Sequence, residues 1–92
     1  MIQSFRCKNT ERLFGGLCSS KFRSFRAQAE RKLILLHSAE TLEFLKSPPG
    51  NRLERLTGDR QGQWSIRINQ QWRLCFRFDG GNAYDVEIVD YH

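Results

Sequence analysis

The sequence closes on Asp90, Tyr91 and His92, and two arginines, Arg67 and Arg73, flank the short polar stretch Asn69–Gln70–Gln71. Cations, an imidazole, a phenol and a carboxylate are the groups that break a ribose–phosphate bond with its neighbouring 2′-hydroxyl. A base takes the hydroxyl proton, cations stabilise the charge building on phosphorus, and an acid protonates the departing 5′ oxygen. Guanidinium suits the middle task because it holds phosphate through two parallel bonds. A histidine titrates near neutrality and suits either proton transfer. The carboxylates beside His92 favour its protonated form, which fits the acid, and Tyr91 can orient or donate. The scheme needs no metal and no other cofactor. Each group also has a plain structural reading. A terminal histidine can fray, the two arginines can pair with Glu87 or Asp90 on the surface, and Tyr91 can cover a sheet edge.

Only strands bring these residues together. Gln63–Asn69 alternates strictly, with Trp64, Ile66 and Ile68 on one side and Ser65 and Arg67 on the other. Trp72–Phe78 alternates again, with Trp72, Leu74, Phe76 and Phe78 opposing Arg73, Cys75 and Arg77. Such period-two runs predict an antiparallel hairpin with one buried face. A two-residue loop would set Ile68 against Arg73. The oily face therefore selects a three-residue loop, Asn69–Gln71, pairing Ile68 with Trp72, Ile66 with Leu74 and Trp64 with Phe76. That register puts Arg67 across from Arg73, an unfavourable like-charge pair that calls for a carboxylate or an anionic ligand. After a turn at Gly80–Gly81–Asn82, a last strand carries Tyr84, Val86 and Ile88 as core residues. Matching oily faces pairs Phe76 with Val86 and Leu74 with Ile88. The polar side then sets Asp85 across from Arg77, Glu87 from Cys75 and Val89 from Arg73, and brings Tyr91 beside the arginine pair.

Upstream, Met1–Cys7 is a short strand candidate, and Asn9 or Thr10 can cap a helix through Phe14 that Gly15–Gly16 ends. Ser24 is a candidate N-cap for the main helix, which runs to about His37 with Ala29, Leu33 and Leu36 as its buried stripe. Arg23, Arg26, Arg31 and Lys32 make that helix basic, as a solvated face or as a surface for RNA or a protein partner. His37 reads as structural or exposed. Ala39–Lys46 is helical, presents Leu42 and Leu45, and stops at Pro48–Pro49–Gly50. Arg52–Thr57 is extended, and Gly58–Gly62 is a turn.

Ninety-two residues with a hydrophobic fraction of 39% support one domain, residues 1–92, with one modest core. No run has transmembrane length, and the start lacks the apolar stretch of a signal peptide. The three cysteines, Cys7, Cys18 and Cys75, have no metal-ligand spacing and fit free thiols in a reducing cytoplasm. The net charge is +5, and the surplus lies in residues 1–46. The basic residues of the second half are all arginine (Arg52, Arg55, Arg60, Arg67, Arg73 and Arg77), which suits a gripped phosphate more than a diffuse field.

The run from Asn51 to Arg60 (NRLERLTGDR), followed by Gly62, Trp64–Asn69 and Trp72–Arg73–Leu74, resembles the HigB-type toxins of the RelE superfamily. The closing Val86–His92 and the opening Met1–Phe5 are similar to that family too. The resemblance implies an α+β fold of microbial-RNase type, two to three N-terminal helices on a mainly antiparallel sheet of four to five strands. It implies a cytoplasmic toxin that cuts mRNA in the ribosomal decoding site, neutralised by a helix-turn-helix antitoxin of HigA type, with operator DNA reached only through that antitoxin. Arg73, Asp90, Tyr91 and His92 match functional positions of the family, and Arg67 and Arg60 fit its basic surroundings. Where some members carry His and Lys before the Gly–Asp turn, this chain has Glu54 and Thr57. The general base is therefore open, with Glu54 a candidate. A gyrase inhibitor of ParE type and a non-catalytic ribosome-binding growth inhibitor are the alternatives on the same scaffold.

Overall fold

Strict alternation produces the sheet. The computed structural model describes residues 1–47 and 49–90, so Pro48 and the expected site residues Tyr91 and His92 lie outside the described residues. Four strands, β1 (Glu54–Arg55), β2 (Trp64–Arg67), β3 (Trp72–Asp79) and β4 (Asn82–Asp90), form one antiparallel sheet in chain order. The hairpin has the expected register, with Trp64 opposite Phe76, Ile66 opposite Leu74 and Arg67 opposite Arg73. Its loop is closed by Asn69, whose Oδ1 accepts the N–H groups of Gln71 and Trp72, both at 2.8 Å, a side-chain mimic of a backbone turn.

The next pairing follows expectation at Leu74–Ile88, Cys75–Glu87 and Arg73–Val89 and then departs from it. Arg77 faces Tyr84 rather than Asp85, because β4 holds one extra residue at a bulge. The expected Phe76–Val86 pair falls in that bulge. Its cause lies at the other end of the chain. Asp85 adopts a left-handed φ of 54° and donates its N–H to Ser4 Oγ at 2.9 Å, while the Val86 N–H donates to Ser4 O at 3.1 Å. Beyond the bulge the inward position passes from Tyr84 to the fully buried Ala83. The N-terminal segment bridges β4 in parallel only at Ile2–Ala83 and Phe5–Val86, in place of a continuous strand.

Three helices, α1 (Lys8–Phe14), α2 (Arg26–Ser38) and α3 (Leu42–Lys46), cover one face of the sheet. Leu13, Ala29, Leu33, Leu36 and Leu45 pack against Ile66, Leu74, Phe76, Val86 and Ile88, each buried leucine contributing roughly 2 kcal/mol. The stripe of α2 is the expected one, but two caps differ. Thr10 lies inside α1, fully buried, and its Oγ1 accepts the Ile88 N–H at 3.0 Å. Ser24 belongs to a 3₁₀ turn, Ser20–Phe25, that leads into α2. The turn forms because Phe22 and Phe25 clasp Trp72 at the start of β3, with ring centroids 5.8 and 4.9 Å away. Thr41 caps α3 by accepting the Phe44 N–H. His37 Nδ1 accepts the Ile2 N–H at 3.1 Å, a structural role.

Candidate active site

The sheet face turned away from the helices is half covered by the β1–β2 loop. Leu56 and Gln63 of that loop are buried and joined by a backbone bond of 2.9 Å. Arg60 Nη1 reaches Glu87 Oε1 on β4 at 2.7 Å, across the face that carries Cys75. Gly62, with φ at 90°, lies so close to Arg77 that a Cβ would come within 2.9 Å of its Nη1. Ser65 and Cys75 are thereby fully buried on what the alternation marks as a polar face. Burial pushes the Cys75 thiol up; the Arg60 guanidinium opposes this, Glu87 adds to it, and Arg73 opposes it.

The loop stops short of the hairpin end and leaves an open pocket of about 280 Å³, lined by Arg52, Glu54, Arg67, Asn69, Gln70 and Arg73. Arg73 forms its floor and is only 8% exposed. Its Nε donates to Ser65 Oγ at 2.8 Å, and its Nη2 donates to Arg52 O at 2.6 Å and Ser65 O at 3.3 Å. Its Nη1 lies 3.9 Å from Glu54 Oε1. Arg67 donates from Nε to Asn69 O at 3.1 Å. The two facing guanidinium groups are thus held by neutral oxygens, with one exposed carboxylate, Glu54, at the rim. Glu87, an expected partner for them, is engaged instead by Arg60 and, at 3.9 Å, by Arg6.

The pocket gathers three of the expected site residues, Glu54, Arg67 and Arg73. Arg60 is engaged under the loop and is not among the lining residues. Asp90 sits opposite Trp72, one pair beyond Arg73–Val89, and its Oδ2 accepts Gln71 Nε2 at 3.1 Å. Arg52 enters the site without having been singled out in the sequence. Its φ of 45° is left-handed, which costs an L-residue about 1 kcal/mol, and no sequence pattern marks such an arginine. Fully buried Asn51 holds the preceding position, with Nδ2 donating to Leu45 O at 3.2 Å and Oδ1 accepting from Lys32 Nζ. Burial, with Arg31 nearby, lowers the Lys32 ammonium below the usual lysine range. Among the described residues no group of three or more His, Cys, Asp or Glu side chains converges to hold a metal ion.

A family model for HigB-like toxins, described as the RelE-like toxin of the type II toxin–antitoxin system HigB, matches residues 3–92. The chain belongs to this family. It is similar to toxin HigB-1 of Vibrio cholerae, 47% identical over 56 residues that cover 61% of this chain and 59% of that protein. It is also similar to endoribonuclease HigB of Proteus vulgaris, 46% identical over 41 residues, 45% of either chain. The chain therefore spans about half the length of the relatives it matches. Among solved structures, the HigB-like fold superimposes on YafQ of E. coli with a TM-score of 0.70 at 13% identity, over 98% of this chain and 91% of that one. The chain of a Staphylococcus aureus YoeB–YefM toxin–antitoxin complex gives 0.59 at 19% identity, over 100% and 95%. Both likenesses are of fold. They place this HigB-like chain on the α+β scaffold that the resemblance implies.

Proposed function

We propose that this chain is the toxin of a type II toxin–antitoxin pair and acts as an endoribonuclease on mRNA in the ribosomal decoding site. A HigA-type helix-turn-helix antitoxin neutralises it and alone connects it to operator DNA. The observation that carries the reading is the pocket of three arginines and one carboxylate at the hairpin end of the sheet. Such a cleft attracts a phosphate. The relatives named toxin HigB-1 and endoribonuclease HigB support the same reading.

In this mechanism a 2′-oxygen attacks phosphorus while the bond from phosphorus to the 5′ oxygen breaks. The products are a 2′,3′-cyclic phosphate and a free 5′-hydroxyl. Arg73, fixed by Ser65 and the Arg52 carbonyl, supplies positive charge against the charge that grows on the phosphorane, and Arg67 adds a second cation. Glu54, at the rim beside Arg73, takes the 2′-hydroxyl proton. His92 returns a proton to the 5′ oxygen, with Asp90 and Tyr91 positioning it or the RNA. Fixed donors of this kind act without reorganising in the transition state, and removing one costs roughly two to three orders of magnitude in rate.

Primer extension on mRNAs from induced cells tests the reading, since only a nuclease leaves cuts at codon positions. Cuts are expected from the unaltered chain and are lost in Arg73→Ala and in the deletion of His92. Arg67→Ala, which touches fewer buried groups, guards against reading an unfolded Arg73 variant as an inactive one. If the Arg73 and His92 variants stay folded and arrest growth as fully as the parent, the nuclease site is wrong.

A further inference from the structure

We propose that Arg52 binds RNA backbone phosphate in this pocket through its side chain while its main-chain carbonyl positions Arg73. The inference rests on the reading of the pocket as an RNA site and extends it to the Arg52 side chain, to which that reading gives no part in the reaction. Three observations carry it. The Arg52 carbonyl accepts Arg73 Nη2 at 2.6 Å, so the peptide that follows Arg52 is aimed at the floor of the pocket. That aim is achieved with a left-handed φ of 45°, a conformation that glycine or asparagine adopts at lower cost. Arg52 nonetheless lines the pocket together with Arg67 and Arg73, and among the described residues no hydrogen bond or ion pair engages its guanidinium.

The backbone is held in this state from behind. Arg52 N–H donates to Pro49 O at 3.2 Å, and buried Asn51 is tied to α3 through Leu45 O and to α2 through Lys32. A cation on a fixed backbone that lines one pocket with two others and a single carboxylate is an arrangement completed by an anion.

The test uses ribosomes programmed with an mRNA whose phosphates on either side of the scissile bond are replaced, one at a time, by neutral methylphosphonate. Single-turnover cleavage by Arg52→Ala is expected to fall ten- to hundredfold on unmodified mRNA. On the substrate lacking the contacted charge, Arg52→Ala and the parent should cleave at equal rates, because the partner of the side chain is already gone. Arg52→Gly, which accepts the left-handed φ, should show the same loss, and Arg52→Lys should recover part of it. Full-rate cleavage by Arg52→Ala and Arg52→Gly overturns the inference, as does a loss of equal size on every substrate. Failure of the parent chain to cut any programmed mRNA overturns the RNA reading itself and the inference with it, and that outcome is visible before any variant is compared.

Discussion

On the proposed function, Arg73 is structural and chemical together. Two of its nitrogens are spent on Ser65 and on the Arg52 carbonyl, leaving Nη1 on the side of Glu54. A lysine keeps the charge but cannot bridge these acceptors. Under the neighbouring loop, Cys75 faces the opposite constraint. Its thiol is fully buried and titrates above its ordinary value of 9.0, chiefly because burial penalises the thiolate. The folded value lies above the unfolded one, so the associated stability is complete below pH 9.0 and is lost as pH rises through the folded value. Urea unfolding of the parent and of Cys75→Ala at a series of alkaline pH values should show the steeper loss in the parent. Equal slopes would remove Cys75 as the cause. Thiol reagents at neutral pH should modify the half-buried Cys7 and Cys18 well before Cys75.

At the scale of elements, the site is a meeting of two stretches that are separate in the chain, the hairpin and the run that leads into β1. The hairpin supplies Arg67, Asn69, Gln70 and Arg73; the short β1 supplies Glu54; and the segment before β1 supplies Arg52. Asn51 links the last of these to the helical layer, with its amide between Leu45 O and Lys32 Nζ. Replacing it by alanine strands a buried carbonyl and a half-buried ammonium, at an expected cost of about 2 kcal/mol. Denaturant unfolding of Asn51→Ala checks the cost. Hydrogen exchange should show the loss of protection centred on residues 45–52, and a loss spread evenly over the sheet would argue against this node. The like-charge pairing of Arg67 and Arg73 was legible in the hairpin pattern, because side-chain parity has a period of two and one face is buried. How that conflict is relieved was not legible, since Ser65 Oγ, Asn69 O and Arg52 O become acceptors only through local geometry.

At the scale of the molecule, charge is divided between two regions. The surplus lies in the first half, where Arg23 and Arg31 are exposed, while three arginines of the second half, Arg52, Arg67 and Arg73, line one pocket. On the proposed function the first region steers the protein to ribosomal RNA and the second grips a phosphate. Changing Arg23 and Arg31 together to glutamate should weaken ribosome association at least tenfold and flatten its salt dependence, with little change in thermal midpoint. Co-sedimentation across a salt series measures both, and an unchanged salt slope would remove the steering role. Sequence alone determined the hairpin register, the apolar stripe of α2, the α+β class and the family, because each rests on local periodicity or on residues matched in order. Tertiary structure decided the bulge at Asp85, the burial of Cys75 and Ser65, the use of Thr10 as a strand acceptor and the entry of Arg52 into the site. Each of these depends on a partner distant in the chain, Ser4 for the bulge, Glu87 for the loop that covers Cys75, Ile88 for Thr10 and Arg73 for Arg52. No local pattern encodes which distant polar groups will meet when the apolar faces close.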